Sequence, residues 1–176
     1  MLKEKKMSPQ NPPLESARLL LRPWQLSDAP ALFRHARSAR VGPRAGWPPH
    51  TSEAMSREVI RTLFSEPETY AVVLKSLDEP IGCIGLVPRR HEHYGSIAPD
   101  QREIGYWLGE EHWGHGYIPE AVELLAARYT ALSDISALWI TTRADNLNSQ
   151  RVALKCGFVR QPPLHRQRRT PQRAVF

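Results

Sequence analysis

Between residues 110 and 121 the chain reads EEHWGHGYIPEA. Gly114-His115-Gly116 stands where an alternating, aromatic segment, EIGYWLG at 103–109, gives way to a helical pattern. The first N–H groups of a helix have no intrahelical acceptor, and the macrodipole adds partial positive charge there. Glycine removes the Cβ and permits positive φ, so main-chain amides in such a turn can close around a phosphate or pyrophosphate. Taken alone, Gly-x-Gly at a strand–helix junction is equally read as a tight turn. It lacks the third glycine and the β-α-β context of a dinucleotide fold. There is also no Gly-Lys-Ser/Thr of a nucleotide triphosphatase.

The elements that must position this turn follow from periodicity. ARLLLRPW (17–24), TYAVVLK (69–75), IGCIGLVP (81–88), EIGYWLG (103–109) and ALWITTR (137–143) read as strands. Ser27 is a candidate N-cap for a helix carrying Ala31, Leu32, His35 and Ala36 on one face. Thr51 or Ser52 can cap a second, with Met55, Val59, Ile60, Leu63 and Phe64 at helical spacing. Residues 117–130 repeat apolar residues at Ile118, Ala121, Val122, Leu125, Ala126 and Tyr129, and 148–158 form a short helix ended by Gly157. The order β-α-α-β-β-β-α-β-α predicts an α/β (α+β) fold, a mixed sheet with helices on its faces.

The 176 residues suffice for one domain with a real core. No apolar run is long enough to span a bilayer, and the early lysines are not followed by the apolar stretch of a secretory signal. Residues 1–14 read as a disordered leader, with Met7 as an alternative start. Cys83 and Cys156 lack metal-ligand neighbours at useful spacing. They read as buried free thiols, which points to a reducing, cytoplasmic setting. No metal is expected. The net charge is +6, but the tail 160–176 carries five arginines and no acid, so the rest is close to neutral. A nucleic-acid or ribosome partner for that tail is a lesser alternative, because no aromatic interleaving accompanies it.

The EIGYWLGEEHWGHGYIPEA block, followed by ADNLNSQRVALKCGF, resembles the GNAT superfamily of acetyl-CoA-dependent N-acetyltransferases. It is most similar to the branch that acetylates ribosomal-protein N-termini, and the resemblance covers residues 14 to 159. It implies a mainly antiparallel central sheet, acetyl-CoA as cosubstrate, and direct transfer to a primary amine in a ternary complex. The acceptor would be a protein N-terminus or a small amine. No membrane is involved, and a monomer or homodimer is expected.

The implied cofactor-binding residues are Tyr106, Trp107 and Leu108 on the strand, His112, Trp113, Gly114, His115, Gly116 and Tyr117 in the turn, and Asn146. Glu111 departs from the family pattern of Gln or Arg, so its side chain is given no phosphate contact. Glu103 matches a proposed general base, or is simply a glutamate at a strand start. Ser149 matches a donor to the leaving sulfur, or caps its helix. Asn146 matches a pantetheine contact, or caps a loop. Trp24, Trp47, His50 and the 89–94 loop are candidates for the acceptor pocket, though the tryptophans suit a core equally.

After KCGF the resemblance fails. Relatives continue with a strand, a long loop and a final strand, whereas here an Arg/Pro-rich tail at 160–176 follows, and at most FVRQ and RAVF could pair. A scaffold that binds CoA without turnover is therefore the alternative reading.

Overall fold

The computed structural model describes residues 12–89, 97–131, 134–161 and the backbone of 173–175. A six-stranded sheet runs in the order β1 (Leu14–Glu15), β2 (Leu19–Pro23), β3 (Thr69–Leu74), β4 (Glu79–Leu86), β5 (Gln101–Leu108) and β6 (Ala137–Trp139). All neighbours are antiparallel except β5 and β6, which are parallel. A separate pair joins β7 (Thr141–Arg143) to β8 (Arg173–Val175), antiparallel.

The side-chain alternation of β3 sets the layers. Tyr70, Val72 and Leu74 enter one core, together with Ile118, Ala121, Val122 and Leu125 of α4 (Tyr117–Thr130). Ala71 and Val73 enter the other, with Trp24, Leu32 and Ala36 of or near α1 (Ala29–Ala36) and Ile60 of α3 (Glu53–Thr62). With both faces covered, the strand is apolar throughout, which explains why TYAVVL shows no polar alternation. A short α2 (Gly42–Ala45) bridges α1 to α3, and α5 (Leu147–Lys155) packs beside α4.

Two local expectations are corrected and one alternative is resolved. Ser27 does not cap α1. A 3-10 turn over Leu26–Asp28 precedes the helix, and Asp28 organises it by accepting from the Gln25 amide. Asp28 is drawn into this buried position by a two-pronged Arg22 contact at 2.7 and 2.8 Å. Of the two cap candidates for α3, Ser52 is used, accepting from the Met55 amide at 3.0 Å. The strand expected over 137–143 is two strands, broken at Ile140, whose side chain is fully buried in the first core.

Gly157 ends α5 as expected. It adopts φ +79°, while the Phe158 amide reaches Ala153 O and its own amide reaches Leu154 O. In the tail, Arg173–Val175 supplies β8, residues 158–160 have no regular structure, and 162–172 lie outside the described residues. The leader lies outside them as far as residue 11, and Leu14–Glu15 is already strand. Among the described residues no helix is long and apolar enough to cross a membrane.

Candidate active site

Strands β5 and β6 share only three register pairs, the last being Glu103 with Trp139. Beyond that point β5 continues to Leu108 beside β4, while the other chain turns away through Ile140 into β7. The Val87 amide bonds to Glu103 O and the Gly109 amide to Ile81 O, so the odd residues of β5 direct their peptide groups at β4. The even residues, Tyr106 and Leu108 among them, therefore direct theirs into the parting. Trp107 is corrected on this ground. Its backbone is matched to Cys83, and what it gives the site is its ring.

That parting opens into a cavity of about 1100 Å³. Glu103, Tyr106, Trp107, Leu108, His112, Trp113, Gly114, Gly116, Tyr117, Asn146 and Ser149 all line it. Of the expected catalytic and cofactor-binding residues, His115 alone does not. Its ring is exposed and stacks on Tyr117 at 5.7 Å, so it can contribute its amide but not its imidazole.

The turn before α4 has the expected backbone. Gly114 and Gly116 take φ +81° and +79°, and Gly116 is the N-cap of α4. The amides of His112 and Trp113 are consumed within a 3-10 turn by Gly109 O and Glu110 O, so these two residues drop out as amide donors. Among the described residues, the amides of 114 to 118 have no protein acceptor, and no side chain caps the helix. A Cβ at Gly114 would meet nothing within 4 Å.

Cationic groups that sequence reasoning missed surround this turn. Arg18 donates to His115 O at 3.0 Å and to Glu120 at 2.7 Å, and lies over the Tyr117 ring at 4.7 Å. Its guanidinium and Lys155 Nζ are the nearest side-chain atoms to a Cβ built on Gly116, at 3.7 and 3.9 Å. Arg40 and Arg44 each lie 5.4 Å from the Trp113 ring, whose Nε1 donates to Leu108 O at 2.9 Å. Nothing in the local pattern around Arg18 marks it, because its partners are about a hundred residues away.

On the wall of the cavity Glu103 is 3% exposed and accepts a hydrogen bond from the Thr141 hydroxyl. It shares the Trp107 face of β5 by strand alternation. Tyr106 lies on the opposite face, its hydroxyl 2.8 Å from Ser149 Oγ. Burial pushes the Tyr106 phenol up to about 12, so it stays protonated at neutral pH. Asn146, and not Ser149, is the N-cap of α5, accepting from the Ser149 amide at 3.3 Å. Ser149 is thereby left at the third helical position with its hydroxyl turned to Tyr106.

The acceptor-pocket candidates separate. Trp47 lines the cavity 5.9 Å from Trp107. Trp24 is 1% exposed in the second core, and His50 is buried with Nδ1 2.8 Å from Ser56 Oγ. Arg89 is described, but 90–94 lie outside the described residues.

The last strand pair of the sheet thus parts beside a glycine-bounded helix N-terminus and a cavity with a carboxylate on one wall. The profile of the acetyltransferase (GNAT) domain matches residues 18–159, and the chain belongs to that family. It is 31% identical over 117 residues to the uncharacterized N-acetyltransferase p20 of Bacillus licheniformis, across 64% of this chain and 62% of that one. It is 42% identical over 82 residues to the ribosomal-protein-serine acetyltransferase of Escherichia coli K12, across 47% of this chain and 42% of the relative. The chain thus aligns with less than two thirds of either relative's length. The fold is shared with RimL, a ribosomal L7/L12 alpha-N-protein acetyltransferase solved with coenzyme A, at TM-score 0.70 and 22% identity, covering 91% of this chain and 93% of that one.

Proposed function

We propose that this protein moves an acetyl group from acetyl-CoA directly to a primary amine, the N-terminal amine of a protein being the leading acceptor. The observation that carries the reading is the conjunction of five partnerless amides, residues 114 to 118, with the parting of β5 in one cavity. The protein acceptor rests on the E. coli relative and on RimL, whose names specify ribosomal-protein acetylation.

The residues fit the cosubstrate at each end. The amides of 114 to 118, with Lys155 and Arg18 close by, suit a diphosphate. The even-numbered peptide groups of β5 and the Asn146 amide group suit a pantetheine arm, which has amides of its own. Acetyl-CoA supplies the activated thioester carbonyl. Glu103 serves as base, taking the proton an ammonium must lose before it can attack. Its carboxylate and the Tyr106–Ser149 hydroxyl pair lie on opposite faces of β5. The amine therefore approaches from the Trp47 and Trp107 side, and the sulfur leaves toward the hydroxyls. The Tyr106 phenol holds its proton too tightly to give it away, so the pair stabilises the departing thiolate by hydrogen-bond donation.

The test is release of CoA thiol from acetyl-CoA with a panel of amines and ribosomal-protein N-terminal peptides. Turnover is expected with at least one peptide ending in a free α-amine. Saturable CoA binding with no turnover on any amine would overturn the enzymatic reading in favour of a non-catalytic scaffold.

A further inference from the structure

We propose that His35 Nδ1, Glu111 Oε1 and His112 Nε2 form a binding site for one zinc ion, tying α1 to the turn that leads into the glycine loop. The His35 nitrogen lies 3.3 Å from the Glu111 carboxylate and the His112 nitrogen lies 3.6 Å from it. All three donor atoms fall within 4.8 Å of one another. Around a tetrahedral zinc with bonds of about 2.0–2.2 Å, ligand atoms sit roughly 3.4 Å apart. Two of the three edges are thus already near that spacing, and the exposed Glu111 carboxylate has the freedom to complete the closure.

The donor set selects the metal. Two imidazoles and one carboxylate suit zinc over magnesium or calcium, and leave a fourth position for water.

The site is built on structure as well as chemistry. His35 has a 3% exposed side chain, and room for its ring is made by Gly109, where an added Cβ would meet Nδ1 at 2.5 Å. Among the described residues its other nitrogen is buried without a hydrogen-bond partner. Glu110 ties the same turn to the end of α1 through the Ser38 hydroxyl at 3.0 Å and through Arg40. Arg34, the nearby cation that would oppose a metal, is paired with Glu79.

The experiment titrates zinc into the untagged, chelator-stripped full chain by calorimetry, with cobalt substitution read by visible absorption. One zinc per chain with micromolar or tighter affinity is expected, with the bands of a tetrahedral cobalt site and a chelator-reversible rise in melting temperature. Glu111→Gln, at an exposed position, and His112→Gln should each weaken zinc by about tenfold or more, following the scale of losses at metal-site residues. Absence of stoichiometric zinc binding would overturn the proposal. So would binding that survives both variants undiminished. None of these readouts requires CoA, so they stand apart from the acetyltransferase reading.

Discussion

Alanine at Gly116 separates the two uses of a glycine in the phosphate turn. Gly116 takes φ +79°, a region that costs an L-residue about 1–2 kcal/mol. The added methyl would lie 3.7 Å from Arg18 and 3.9 Å from Lys155, ordinary contact distances, so steric damage to the fold is small. At about 2–4 °C per kcal/mol for a domain of this size, the melting temperature should fall by roughly 2–8 °C. Gly157 supplies the control. It has the same φ of +79° and nothing within 4 Å, and it ends α5 without contributing an amide to the glycine turn. Gly157→Ala should match the thermal loss. The two variants should differ in ligand binding. Relieving the strain at Gly116 re-aims the neighbouring amides. Each charge-assisted bond lost to a diphosphate costs about 1.5–3 kcal/mol, or roughly 10- to 150-fold in Kd. Calorimetric titration with CoA should therefore show at least a tenfold loss in Gly116→Ala and less than a twofold change in Gly157→Ala. Pantetheine, which carries no phosphate, should bind both as it binds the unaltered protein. Unchanged CoA affinity in Gly116→Ala, or an equal loss for pantetheine, would refute the assignment of this turn to the diphosphate.

Glu103→Gln keeps the shape of a buried residue and removes the base, so kcat should fall by about 10²–10⁴ with CoA affinity intact. A rate within twofold of the unaltered enzyme would remove Glu103 from the mechanism. Tyr106→Phe deletes the hydroxyl partner of Ser149. The effect should appear in kcat and much less in KM for the amine, by a factor of about 10 to 100, the worth of one hydrogen bond to a charged group. The thiols give a prediction independent of catalysis. Burial pushes Cys83 up to about 12 and Cys156 up to about 11, so at pH 8 both are almost wholly protonated. A disulfide reagent at pH 8 should react with Cys83 only after denaturation, whereas Cys156, expected buried but in fact half-buried, should label slowly in the native protein; prompt labelling of native Cys83 would contradict its burial.

What the sequence made legible is what chain-local physics encodes. The apolar spacing of 117–130, the glycines at 114 and 116 and the terminating Gly157 each act within a few residues, and each stands where the pattern placed it. Asn146 and Ser149 were legible as a pair, but not in their division of labour. Either side chain can cap a helix, and the choice of Asn146 depends on how far upstream the helix begins. The break at Ile140 was hidden because ALWITTR is an unbroken run of strand-favouring residues, and only the tertiary core shows that one residue turns inward. Arg18 at His115, Tyr106 at Ser149 and His35 at Glu111 are contacts across the fold between residues whose local context is ordinary. Glu111 was visible as a departure from the family pattern, yet its imidazole partners were not, since one of them belongs to α1.

The early parting of β5 from its parallel neighbour leaves the middle of the fold deliberately unfinished. Past Glu103 the even-numbered peptide groups of β5 face a channel where a continuous sheet would pair them, and Leu108 O is met there by the Trp113 indole. An amide-bearing arm laid in the channel would extend the ladder as an extra strand does, and such a ligand would double as scaffolding. Substitutions that zip the fork shut would make the protein harder to unfold and, by the same contacts, idle.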